Sequence, residues 1–141
     1  MTTTVTDDPG LVEQALALRE RVFCGEQGVA LEAERDGHDD EAIHVVCLRT
    51  GRVLGTCRVL VRDGVARLGR MAVEPLARGR GIGGEVLAEA ERAARVAGAT
   101  RMRLHAQSAA IGLYERAGYE QVGDPFVEEG IDHVTMERAL A

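Results

Sequence analysis

At 141 residues, 45% apolar and 28% charged, the chain has the makeup of a single globular domain and is too short for two full cores. A net charge of -6, with no basic patch beyond one glycine-rich run, excludes nucleic acid as an expected partner. No stretch approaches the roughly 20 apolar residues of a membrane span, and no basic-then-apolar leader opens the chain; the expectation is a cytoplasmic protein with no membrane contact.

Every basic residue is Arg, which fits the codon bias of a GC-rich genome. Cys24, Cys47 and Cys57 form no CxxC pair, so neither a disulfide framework nor a metal site is expected. Thr2–Thr6 reads as a strand. Asp7 or Asp8 before Pro9 then starts a helix, whose apolar stripe Leu11, Ala15, Leu18 and Val22 runs to a stop near Gly25. From Gly25 to Ala42 seven acids stand against one Arg with no sustained period, which reads as a long loop with room for a turn of helix.

Strands are expected at Ile43–Arg49, Val53–Arg62 and Val65–Val73, joined by hairpin turns at Thr50-Gly51 and Asp63-Gly64. The next helix is read as Glu85–Ala97, with Val86, Leu87, Ala90 and Ala94 on one face. Arg101–His105 alternates as a strand, and Ser108 is placed to cap a short helix through Arg116. Tyr119–Val122 and Ile131–Glu137 are the last strands, with a Gly/Pro loop between them. This order predicts an α+β domain, one mixed sheet with helices on both faces.

The chemistry-bearing motif is Arg78-Gly79-Arg80-Gly81-Ile82-Gly83-Gly84. Closely spaced glycines let backbone N–H groups converge, and the following helix adds its positive dipole end, so an anionic, nucleotide-derived ligand is expected there. A triphosphate loop needs Lys and Ser/Thr after its last Gly; Gly84 and Glu85 follow instead. A dinucleotide fold needs an acid at the end of the next strand, but that strand ends His105-Ala106-Gln107.

The pattern Arg78-x-x-Gly81-x-Gly83 after a strand resembles the GNAT superfamily of acetyl-coenzyme A-dependent N-acyltransferases. Leu18-Arg19-x-x-Val22-Phe23-x-x-Glu26-Gln27-Gly28-Val29, Gly69–Val73, Ala106-Gln107 with Tyr114–Tyr119, and Gly130–His133 are similar to its YjcF/ElaA-like branch. The resemblance implies a mostly antiparallel sheet splayed at its central strands, with acetyl-CoA as cosubstrate in the cleft and no metal. It assigns donor binding to Met71, Ala72, Val73, Arg78, Gly79, Arg80, Gly81, Ile82, Gly83, Gly84, Gln107 and Tyr114. Any Cβ added to these glycines is expected where the phosphate approaches.

Acyl transfer to an amine needs an oxyanion donor, a proton for the departing thiolate and an acceptor for the amine proton. By the same resemblance, the backbone near Ala72 and Val73 meets the carbonyl and Tyr114 is the acid. Glu26, His44, His133 and Glu128 stay open as bases, with Glu26 and His133 put forward. Ala30 stands where many relatives have Pro, and Gln107 where Asn is usual. The expected partner is a small-molecule or peptide amine, which the acidic loop Glu26–Glu41 would attract electrostatically. The resemblance also brings a possible homodimer. A non-catalytic acyl-CoA sensor and a dinucleotide-binding module are the alternative readings.

Overall fold

The computed structural model describes residues 1–140. Asp8 begins the first helix by accepting a hydrogen bond from the Leu11 N–H at 3.0 Å, with Pro9 in the first turn where no N–H is needed. The elements are β1 (Thr2–Thr6), α1 (Pro9–Arg19), α2 (Leu31–Glu34), β2 (Ile43–Arg49), β3 (Arg52–Arg62), β4 (Val65–Val73), α3 (Ile82–Val96), β5 (Arg101–Gln107), α4 (Ile111–Arg116), β6 (Glu120–Glu128) and β7 (Ile131–Ala139).

The strands form one sheet in the order β1-β2-β3-β4-β5-β7-β6, antiparallel except for β4 beside β5. Thr50-Gly51 and Asp63-Gly64 hold positive φ at both positions, the geometry that keeps the β2–β3–β4 meander tight. On one face α3 buries Val86, Leu87, Ala90 and Ala94 against Val45, Val59, Leu68 and Met102. On the other, Ala15 and Leu18 of α1, with Val22 just beyond it, cover Val46, Val53 and Ala72. Gly55 permits the close approach of α3 to β3, since a Cβ there would lie 2.5 Å from the Ile82 side chain.

The parallel ladder between β4 and β5 ends at Leu68 opposite Leu104, although both strands continue past it. A bulge between Thr56 and Arg58 of β3 interrupts the neighbouring ladder, and Arg70 takes φ 56°, a left-handed conformation unusual for an arginine. The bend turns the end of β4 away from β5. That opening is the splayed cleft.

Several boundaries differ from the sequence reading. Past Arg19 the first helix widens into a π-helical stretch, Glu20–Glu26, and part of the expected acidic loop is α2. Helix α3 begins at Ile82 rather than Glu85, which puts Gly83 and Gly84 inside its first turn. Ser108 caps no helix; its hydroxyl donates to the Asp132 carbonyl at 3.3 Å, and α4 starts three residues later. The expected loop after Val122 is a bulge within the single edge strand β6, where Pro125 is tolerated on the rim of the sheet.

Candidate active site

At the mouth of the cleft, Gly81 caps α3 in the left-handed conformation with no side chain covering the helix end. The first backbone bond of α3 is Glu85 N–H to Gly81 C=O, so the N–H groups of Ile82, Gly83 and Gly84 have no partner within the helix. These donors at the positive end of a 15-residue helix suit an anion such as a diphosphate. A Cβ on Gly79, Gly81 or Gly84 would meet no protein atom within 4 Å, which leaves the cradle open. Gly83 differs from the sequence expectation: its Cβ would press on Leu113 of α4 at 3.3 Å, so that glycine serves helix packing.

Backbone donors also face the cleft from β4. The Glu74 N–H is bonded to the Leu54 carbonyl of β3 at 2.8 Å, so by strand alternation the Val73 N–H points to the opposite edge, where β5 has already diverged. Arg78 fixes this segment. Its Nε donates to the Val73 carbonyl at 3.1 Å, and its two terminal nitrogens grip the Glu26 carboxylate at 2.8 Å each. The Arg78 hydrogen bonds lower the pKa of Glu26, which makes that carboxylate a weak proton acceptor.

A cavity of about 380 Å³ opens on the α1 side of the splay, and Met71, Gln107, Tyr114 and His133 all line it. Tyr114 is 4% exposed, edge-on to Tyr119 with ring centres 5.8 Å apart. Burial, with the nearby Cys57 adding to it, raises its phenol well above the ordinary range, so it stays protonated. His133 is 7% exposed and stacks on Phe126. Its Nδ1 lies 2.7 Å from the Ile131 carbonyl, which can only accept, so Nδ1 carries the proton and Nε2 of the neutral ring keeps its lone pair. Glu128 sits 3.9 Å from that Nε2 and 3.4 Å from Nδ1 of His105.

The remaining candidates lie elsewhere. Glu26 and residues 78–84 are not in the cavity wall, and neither is His44, whose Nε2 donates to the Asp39 carbonyl at 2.9 Å and pins the loop. Gln107 exchanges two hydrogen bonds with Gln27, at 2.9 and 3.1 Å, which ties the end of β5 to the segment after the π-helical turn. Four of the seven acids of residues 26–41 are paired with arginines: Glu34 with Arg19 and Arg35, Asp39 with Arg19 and Arg58, Asp36 with Arg58 and Arg70, Glu26 with Arg78. The loop therefore presents far less negative field than its composition suggests. Sequence reading overlooked His105 and Arg103, which share the cavity face with Gln107 by the two-residue alternation of β5.

Residues 9–140 match the family described as the acetyltransferase (GNAT) domain. The chain belongs to the GNAT acetyltransferases. It is 33% identical over 126 residues to the uncharacterized N-acetyltransferase YjcF of Bacillus subtilis strain 168, covering 89% of this chain and 90% of YjcF. An acyl-CoA N-acyltransferase from Pseudomonas aeruginosa superposes with a TM-score of 0.86 at 30% identity, over 99% of this chain and all of that one. Escherichia coli ElaA shares the fold at a TM-score of 0.84 and 21% identity, over 97% of each chain. The GNAT chain is an acyltransferase of the YjcF-like branch, and its acyl donor is acetyl-CoA. No helix among the described residues is long and apolar enough to cross a membrane.

The helix-end cradle gives a clean test of donor binding. Gly84→Ala adds a methyl that meets no protein atom within 4 Å, and calorimetry should show acetyl-CoA affinity falling about tenfold or more with no loss of melting temperature. Gly83→Ala should instead lower the melting temperature through Leu113. Equal affinity in Gly84→Ala and the parent would contradict the cradle.

Proposed function

We propose that this GNAT enzyme is an N-acetyltransferase that moves the acetyl group of acetyl-CoA to a primary amine of a small molecule or peptide by direct attack. YjcF is named as an uncharacterized N-acetyltransferase and the Pseudomonas aeruginosa relative as an acyl-CoA N-acyltransferase, both names denoting transfer to nitrogen, and this supports the reading. The observation that carries it is the gathering of Tyr114, His133 and Met71 around one cavity at the point where β4 and β5 part.

When bound, acetyl-CoA supplies the activated thioester. The N–H groups of Ile82–Gly84 hold its diphosphate, with Gly79, Gly81 and the backbone beside Arg78 and Arg80 shaping the turn. Arg78 keeps the end of β4 in place so that the Val73 N–H meets the developing oxyanion, with Met71 and Ala72 forming the strand beside it. Nε2 of His133 takes the proton from the attacking amine. Tyr114 gives its hydroxyl proton to the leaving sulfur; the burial that raises the phenol also raises the basicity of a thiolate expelled beside it, so the transfer stays feasible. Glu26 acts through Arg78 as a positioning residue, and Gln107 fixes the far lip of the cleft through Gln27.

Thiol release measured with acetyl-CoA and a panel of primary amines tests the reading. At least one amine should give stoichiometric coenzyme A and acetylated product, and His133→Gln should lower kcat/KM about 100-fold with acetyl-CoA affinity retained. Tight acetyl-CoA binding with no release across the panel would overturn catalysis in favour of a sensor.

A further inference from the structure

The cavity carries opposite charges at its two ends. Toward the splay stand Glu128, Glu129 and His133; farther back along β4 and β5 stand Arg67 and Arg103. Arg67 and Arg103 are directly opposed in the parallel register, an arrangement in which like charges repel. Arg103 is relieved by Glu137, to which its Nε donates at 2.6 Å, and Arg101 also reaches that carboxylate at 3.3 Å. Arg58 and Arg70, the other guanidiniums of the cavity, are held by Asp36 and Asp39 or by backbone carbonyls. Arg67 alone among these four has no carboxylate partner among the described residues.

We propose that Arg67 is a specificity residue, binding an oxyanion carried by the acceptor, so that the substrate class is an aminoalkyl carboxylate or phosphate with charge at both ends. The inference rests on the N-acetyltransferase reading and adds the identity of the acceptor. Gln107, the register partner of His133, lies four positions beyond Arg103 on β5, which puts the oxyanion about 13 Å along the sheet from His133. With the oxyanion on Arg67, the amine end lies beside Glu128 and Nε2 of His133. A guanidinium suits such a ligand because its fork donates two parallel hydrogen bonds to one oxyanion.

The test compares ω-amino carboxylates and ω-aminoalkyl phosphonates of increasing length with the matching carboxamides, in the parent and in Arg67→Gln. The parent should favour the anionic amines over the carboxamides by about tenfold or more in kcat/KM, with an optimum chain length, and Arg67→Gln should erase that preference. The carboxylate and phosphonate arms separate the two kinds of oxyanion. Calorimetric binding of the same compounds supplies a readout independent of turnover, and Arg67→Gln should weaken only the anionic series. Loss of anion binding in Arg67→Gln without turnover of any amine would sink the N-acetyltransferase reading and leave the anion site standing. Equal preference, or equal binding, in parent and variant would overturn the site itself.

Discussion

Tyr114→Phe should lower kcat about 100-fold while the KM for acetyl-CoA changes less than about twofold, in a coenzyme A release assay at saturating amine. The substitution deletes one oxygen and leaves the ring in place against Tyr119, so the packing that buries it is preserved. The hydroxyl acts only when charge develops on sulfur, which is why the loss falls on kcat rather than on donor binding. The raised phenol pKa fixes the sign of the pH response. Because the proton is held well above neutrality, the parent should keep the acidic arm of its chemistry intact to high pH, with no alkaline fall in kcat assignable to Tyr114 near its ordinary value of about 10. Full turnover in Tyr114→Phe would remove the phenol from the reaction.

Local chemistry made much of this fold readable. Thr50-Gly51 and Asp63-Gly64 could hardly be anything but hairpin turns between apolar runs, and both fold that way. Helices α1 and α3 carry their buried stripes at the spacing the sequence shows. What escaped detection depends on contacts between distant residues. The π-helical register of Glu20–Glu26 is a backbone choice, and Gly25 looks like a stop rather than part of it. Strand β6 runs through Gly123 and Pro125 because β7 supplies a ladder on its inner edge, a fact invisible in those breakers themselves.

The site divides in the same way. The glycine run announces an anion cradle locally, but the role of Gly83 in packing becomes visible only once Leu113 of α4 lies against it. Among the histidines, sequence offers no ranking. Position 133 stands apart through its place in the cavity wall and the Ile131 carbonyl beside its Nδ1, while position 44 is outside the wall and is bonded to a loop carbonyl. The field of the acidic stretch is not legible from its composition, because the partners of Glu26, Glu34, Asp36 and Asp39 include Arg19, Arg58, Arg70 and Arg78, as far as 52 residues away in the chain.

Arg19→Met should cost about 3–5 kcal/mol of stability, read as a fall of roughly 10–20 °C in melting temperature. Arg19 and Glu34 are each 1% exposed and joined at 2.6 Å, and the same guanidinium makes two bonds to Asp39 at 2.7 and 3.2 Å. Removing it leaves the Glu34 carboxylate in the interior without its closest partner, with Arg35 at 2.9 Å and Arg70 at 3.9 Å as the remaining cations. The penalty therefore comes from the charge left behind more than from the bond lost, and this separates two outcomes. The double variant Arg19→Met/Glu34→Leu should recover a large part of the stability, because an apolar pair of similar volume replaces the ions. If the double variant is no more stable than Arg19→Met, the cost lies in the geometry of the segment rather than in unpaired charge. Function should follow, because Arg70 reaches the carbonyls of Ala33 and Glu34, and both residues form part of the cavity wall. A wall loosened there raises the KM for the amine and spares acetyl-CoA affinity, since the cradle at Gly81–Gly84 stands on α3, on the other face of the sheet.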